Sequence, residues 1–161
     1  MSLRLGHPQP FADMSSTHLS LHYHIVFSTK YRAPVIDPAW RSRLHEYLGG
    51  CIRTAGGAPE LIGGTADHVH LLLELRGTHR LSDVMRDIKR ASSVWVHQEI
   101  GSTGFGWQDG YGAFSLSVGH RKNRKEYISN QEEHHRERGF QEEYVALLHE
   151  HGVAYEERYL W

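Results

Sequence analysis

The chain has 161 residues, with 18 Lys and Arg against 19 Asp and Glu, so its formal charge at pH 7 is −1. That length suits a single domain, and the near-neutral balance excludes a uniformly basic nucleic-acid coat, so any positive field must be local. A hydrophobic content of 39% excludes a disordered chain, and the single cysteine, Cys51, excludes an internal disulfide and a Cys-based zinc cage.

Residues 1–17, with Pro8 and Pro10, read as a flexible arm ahead of one domain over residues 18–161. The first strand is predicted over residues 21–27, where Leu21, Tyr23, Ile25 and Phe27 recur at period two. Asp37-Pro38 opens a helix, Asp as cap and Pro at the first position, and Gly56-Gly57 closes it. Trp40, Leu44, Tyr47, Leu48, Cys51 and Ile52 supply its apolar stripe. Leu61-Ile62 marks a weak strand, and HVHLLLEL over residues 68–75 a clear one, with Val69, Leu71, Leu73 and Leu75 on its core face. A helix over about 81–100 follows, then a Gly-rich aromatic stretch ending in a strand around 113–118. A polar helix over about 122–138 and an amphipathic one with Phe140, Tyr144, Leu147 and Leu148 complete the chain. The order β-α-β-β-α-β predicts an α+β, ferredoxin-like or RNA-recognition-like sheet. Its two crossover helices cover one face and leave the other free. No apolar run approaches the ~20 residues of a membrane span, and the N-terminus lacks a secretory apolar core. The expected location is the cytoplasm, with no membrane partner.

Histidine is the compositional outlier, at 14 residues. In Asp67-His68-Val69-His70 the two imidazoles lie at i and i+2 of a strand, so both point to one side and can meet one ion. His22 and His24 repeat the pattern on the first strand. On spacing alone these pairs are equally readable as surface histidines on an open sheet face. Tyr127 and Gln131 lie one helical turn apart and share a face that His134 and His135 continue. A half-buried tyrosine beside a solvated glutamine would show the same spacing. Two basic groups could contact phosphates: Arg86, Lys89 and Arg90 on one helix face, and the denser run Arg121, Lys122, Arg124 and Lys125. The glycines between residues 101 and 112 carry no GxxxxGK pattern and make no phosphate loop. Glu132-Glu133 and Glu142-Glu143 read as helix surface.

Four segments together resemble one known family. They are His24-Ile25-Val26-Phe27 through Lys30-Tyr31-Arg32; Asp67-His68-Val69-His70-Leu71-Leu72; Trp107-Gln108-Asp109-Gly110-Tyr111-Gly112-Ala113-Phe114-Ser115; and Tyr127-Ile128 with Asn130-Gln131-Glu132-Glu133-His134-His135. The tail Glu157-Arg158-Tyr159-Leu160-Trp161 fits as well. The resemblance is to the single-tyrosine HUH transposases of the insertion-sequence-200/605 type, U being a hydrophobic residue. Relatives associated with repetitive extragenic palindromes belong to the same group. It covers residues 18–161. It implies a DNA strand transferase that cuts and rejoins single-stranded DNA at hairpin-flanked ends through a 5′-phosphotyrosine. It implies Tyr127 as nucleophile and His68, His70 and Gln131 as ligands of a divalent ion. Oxygen and imidazole donors suit Mg²⁺ or Mn²⁺. It also implies a homodimer in which Tyr127 of one subunit completes the other's site, and DNA held on the free sheet face and the basic helices. The run before Tyr127 is more basic than the family pattern. Two rivals stand beside this reading: a non-catalytic or domesticated single-stranded nucleic-acid-binding module, and a metal-dependent phosphodiesterase in which water attacks.

Overall fold

Alternating residues on the two inner strands send one set of side chains to each side of the sheet, and both sides are buried. The computed structural model describes residues 17–161; residues 1–16, most of the expected arm, lie outside them. The strands are β1 (His22–Ser28), β2 (Ala58–Gly64), β3 (His68–Glu74) and β4 (Gly112–Leu116), and the crossover helices are α1 (Pro38–Thr54) and α2 (Leu81–Trp95). The strand order is β2-β3-β1-β4, and every pairing is antiparallel. This is the predicted ferredoxin-like topology. The weak strand expected at Leu61-Ile62 is the core of the seven-residue β2.

Register places the chemistry. Ile25 pairs with Leu71 and Phe27 with Val69, so these share the face toward α1 and α2. Val26 pairs with His70, Ser28 with His68 and His24 with Leu72, so the histidines share the opposite face. On the first face Ile25, Phe27, Val69, Leu71, Leu73, Leu44, Leu48, Ile52, Met85 and Ile88 close one apolar core. Removing such side chains from water is its main stabilisation, at about 1.5–3 kcal/mol each. The Asp37 carboxylate accepts a hydrogen bond from the Ala39 N–H at 2.7 Å, as the cap prediction requires. Phe105 and Trp107 of the Gly-rich stretch also enter this core, and the Trp107 indole N–H donates to Ser92 at 2.9 Å.

The second face is not free. Three C-terminal helices cover it: α3 (Arg121–Ser129), α4 (Gln131–Glu137) and α5 (Phe140–Glu150). Val26 and Phe114 pack with Phe140, Leu147 and Leu148 of α5, and Leu72 and Leu116 pack with Ile128 of α3. Leu72, interleaved with histidines on this face, needs a cover, and Ile128 of α3 provides it, while the apolar stripe of α5 covers Val26 and Phe114. The helix predicted over 122–138 is broken at Asn130, whose φ of −100° and ψ of 24° leave the helical region. Gly63 makes the seating of α3 possible: a Cβ there would lie 2.6 Å from the Ile128 carbonyl oxygen. Among the described residues no helix is long and apolar enough to cross a membrane.

Candidate active site

His68 and His70 are fully buried between the sheet and the C-terminal helices. Each imidazole is oriented by a partner on Nδ1. His68 Nδ1–H donates to the Asp67 carboxylate at 2.7 Å, leaving its Nε2 lone pair facing inward. Asp67 is held below the usual carboxylate range: burial alone would raise it, but the hydrogen bonds from His68 and Thr65 together with the His68 and His135 charges outweigh that. His70 Nδ1 lies 2.8 Å from His24 Nε2, with both residues fully buried. A His70 that offers Nε2 to the cluster carries its proton on Nδ1 and donates it to His24. His24 then bears its own proton on Nδ1, a buried atom with no partner. Burial holds His24 well below its usual value and His70 at about 4, so both are neutral at neutral pH, as ligation requires.

The break at Asn130 seats Gln131 at the start of α4, only 2% exposed. Its amide is oriented by its neighbours. Nε2 donates to Glu143 at 3.0 Å, and Oε1 lies 3.2 Å from His68 Nε2 and 3.1 Å from His135 Nε2. Glu143, read from sequence as helix surface, is 7% exposed and sits at the centre of the site. Its carboxylate accepts from the Tyr127 hydroxyl, from Gln131 and from His135 Nε2 at 2.7 Å. It also lies 3.5 Å from His70 Nε2 and 3.6 Å from His68 Nε2. Burial would raise its pKa, yet the histidines and Tyr127 together hold it far below the carboxylate range. A periodic signal existed for Glu143: it falls on the same helical stripe as Phe140, Tyr144 and Leu147.

Tyr127 projects from α3 to the rim of this cluster, its ring 6.0 Å from His70, 6.4 Å from His24 and 4.9 Å from His134. Burial, then the Glu143 charge, push its phenol well above the ordinary value, so the hydroxyl keeps its proton and donates it to Glu143. The ring forms one wall of a cleft of about 360 Å³, together with Arg124, His134, His135, Arg138 and Glu143. Tyrosine and histidines meet within one chain, so the expected sharing between subunits is not needed to assemble them.

Four donors converge: imidazole nitrogens of His68, His70 and His135 and a carboxylate oxygen of Glu143 all lie within 4.8 Å of one another. His70 Nε2 is buried without a hydrogen-bond partner. An orphaned lone pair among nitrogen and oxygen donors fits a divalent cation, and the Gln131 oxygen adds a fifth donor. In the described arrangement His135 donates its Nε2 proton to Glu143, so it stands one proton away from serving as a ligand.

Of the remaining predicted residues, Arg124 alone lines the cleft beside Tyr127. Arg121 and Lys125 bind Glu60 of β2 at 2.6 and 3.1 Å, and His22 joins them at 2.7 Å. Glu60 is lowered in consequence, its burial outweighed by the hydrogen bonds from Arg121, Lys125 and His22 and by the Arg121 charge. The three contacts clamp the first turns of α3 to the sheet edge and separate His22 from the metal cluster. Arg124 pairs with Glu150 at 2.8 Å while its guanidinium covers the Tyr127 ring at 5.3 Å. Lys89 donates to the carbonyls of Gln108, Asp109 and Gly110, and Arg86 pairs with Asp83 and Asp87. Arg90 and Lys122 are exposed. The basic groups thus serve largely as internal ties. The free sheet face expected to carry DNA is occupied by the chain's own helices.

A ferredoxin-like sheet bearing a His-X-His pair, with a tyrosine held against it, defines the class as an HUH-type domain. The chain matches the model of the family described as "Transposase IS200 like" over residues 17–131, more than half its length, and it belongs to that family. It is similar to the crystal structure of a protein of Deinococcus radiodurans R1 provisionally described as a transposase, with 24% identity and a TM-score of 0.58, covering 74% of this chain and 97% of that one. It is also similar to a REP-associated tyrosine transposase bound to a REP hairpin, with 15% identity and a TM-score of 0.53, covering 73% of this chain and 72% of that one. At these identities the likeness establishes the fold. No curated protein matches the chain.

Proposed function

We propose that this transposase-family protein cuts and rejoins single-stranded DNA at hairpin-flanked ends through a covalent 5′-phosphotyrosine on Tyr127. The observation that carries the reading is the Tyr127 hydroxyl. It is hydrogen-bonded to Glu143 at the edge of the buried histidine cluster and opens on a cleft lined by Arg124 and Arg138. A phenol of pKa ~10 is a poor nucleophile at neutral pH and needs a proton acceptor. Glu143 accepts the proton as the Tyr127 oxygen bonds to phosphorus. The bond from phosphorus to the 3′ oxygen breaks, and that oxygen leaves as a 3′-OH after taking a proton. One phosphodiester is exchanged for another phosphate ester, so rejoining by the reverse step needs no ATP. His68, His70, Gln131 and Glu143 would hold a divalent ion, Mg²⁺ or Mn²⁺, whose chemistry when bound is Lewis-acid polarisation of the non-bridging phosphate oxygens. Arg124 and Arg138 line the path by which the phosphate enters. The hairpin held by the similar REP-associated transposase supports hairpin DNA as the partner. The outer edge of β4 leaves a surface on which a homodimer could extend the sheet.

The test is a denaturing gel of labelled hairpin-flanked single strands incubated with the protein and Mn²⁺ or Mg²⁺. A tyrosine-linked band with the native chain, absent with Tyr127→Phe, is the expected result. Cleavage without an adduct in both would transfer the reaction to water and leave a phosphodiesterase. Mixing Tyr127→Phe subunits with a His68→Ala, His70→Ala double variant locates the site: a site within one chain recovers no activity.

A further inference from the structure

The turn that follows β1 holds two consecutive side chains in an unusual backbone state. Tyr31 has φ 59° and Arg32 φ 54°. Left-handed backbone costs an ordinary residue about 1–2 kcal/mol, and glycine or asparagine normally takes such positions. Tyr31 gains no burial in exchange, being 84% exposed. The turn is nevertheless firmly built. The Thr29 N–H donates to the Asp67 carbonyl at 2.8 Å, the Arg32 N–H to the Thr29 carbonyl at 3.0 Å, and the Thr29 hydroxyl lies 2.7 Å from the Ala33 carbonyl. A rigid turn therefore projects an aromatic ring into solvent at a cost in stability.

Cations accompany the exposed rings. Lys30 Nζ lies 5.3 Å from the Tyr31 ring centre, and the Arg32 guanidinium lies 5.0 Å from that of Trp161, which is 46% exposed. Tyr159, 74% exposed, carries Arg158 at 4.6 Å. Arg158 is neutralised by Glu156, whereas Lys30 and Arg32 have no carboxylate within salt-bridge distance among the described residues. This is the reverse of the helical basic groups, whose charge is largely spent on Glu60, Glu150, Asp83, Asp87 and backbone carbonyls. The patch also adjoins the histidine cluster. Asp67, which anchors the turn, orients His68, and ring contacts run from His68 through Phe140 and Tyr144 to Trp161 at 4.4, 5.8 and 6.3 Å.

We propose that the Lys30–Arg32 turn and Trp161 form a seat for an unpaired base of the DNA strand beside the cleavage site, Tyr31 stacking on the base and Lys30 and Arg32 meeting its phosphates. Exposed aromatic faces interleaved with free cations are what single-stranded nucleic acid requires, because every base has a π-face and every linkage a negative charge. Duplex DNA hides its base faces and has no use for the ring. The proposal rests on the DNA-processing reading above and narrows where the single strand lies.

The probe is a fluorescein-labelled DNA hairpin with a 5′ single-stranded flank, compared with the same hairpin blunt-ended. Binding to the full chain is followed by anisotropy in EDTA, so that cleavage does not intervene. Absence of flanked-hairpin binding by the native protein would overturn the DNA-processing reading itself. Given native binding, Tyr31→Ala should weaken the flanked hairpin by about 5- to 150-fold and leave the blunt one unchanged, while Tyr31→Trp retains affinity. Tyr31→Gly should raise Tm by relieving the left-handed backbone and still weaken flanked-hairpin binding. A merely structural tyrosine would not move the two readouts in opposite directions. Native affinity in Tyr31→Ala, or equal losses on both probes, would overturn the proposal.

Discussion

The two faces of the sheet are equally dry and built to opposite ends. Toward α1 and α2, Ile25, Phe27, Val69, Leu71 and Leu73 are fully buried and purely apolar. Toward α3 and α5, the alternate residues of the same strands include His24, His68 and His70, also fully buried. The first face is packed mainly by apolar side chains; the second holds neutral imidazoles, a carboxylate and two orphaned ring nitrogens. Burial on one side lowers free energy. On the other it keeps His70 neutral, while the buried histidines and Tyr127 hold Glu143 ionised against its own burial, at the expense of unsatisfied polar atoms. The pleat lets one strand serve both ends without compromise.

Substitutions that separate the faces test this division. The largest expected effect is on chemistry: Tyr127→Phe should abolish the tyrosine-linked adduct while changing the thermal midpoint little, because only a hydroxyl is lost. Next comes the apolar face. Leu71→Ala should destabilise by about 2–5 kcal/mol in urea unfolding, with Mn²⁺ affinity of the folded fraction unchanged. A matching drop in metal affinity would mean the faces are coupled.

Acid should strain the fold through a group remote from the cluster. Burial, then the nearby Arg41 charge, push His45 of α1 from 6.5 down to about 4. The unfolded chain therefore binds this proton more readily than the native one. The stability tied to His45 is fully present above about pH 6.5 and is lost as pH falls toward about 4, up to ~3 kcal/mol. His45→Gln should flatten the urea-midpoint profile over that window; an unchanged slope would remove His45 as its source.

His24→Ala should lower Mn²⁺ affinity about 10- to 100-fold, because it deletes the partner that orients His70. His24→Gln, which can still accept from Nδ1, should recover much of it, and His22→Ala should leave it intact. Titration followed by the electron paramagnetic resonance signal of free Mn²⁺ measures all three. Arg86→Ala is expected to do least, with Tm and metal affinity indistinguishable from the native chain, since both partners of Arg86 are solvated carboxylates on its own helix.

Strand periodicity, the Asp37-Pro38 cap and the 68/70 histidine pair were all legible in the sequence, and so was the order of elements that defines the topology. Each is a local pattern: a pleat points i and i+2 the same way wherever the strand goes. Glu143 was not read, because its neighbours Glu142 and Gln141 disguise a carboxylate lying on an apolar stripe. Its contacts with Gln131 and Tyr127 also span 12 and 16 residues, across a helix break and a turn. The fate of the basic runs was equally hidden. Glu60 sits 61 residues from Arg121 and gives no hint, from its own segment, that it will neutralise them.

The sequence by itself therefore determined which residues point together along each strand and helix, since backbone geometry repeats over two or four residues. Only the tertiary structure decided that the histidine face would be sealed by the C-terminal helices, that Glu143 would meet Tyr127, and that Arg121 and Arg124 would be tied to carboxylates while Tyr31 faces solvent. Those outcomes depend on how distant segments dock. Docking is settled by burial and charge pairing summed over the whole chain, which no local spacing records.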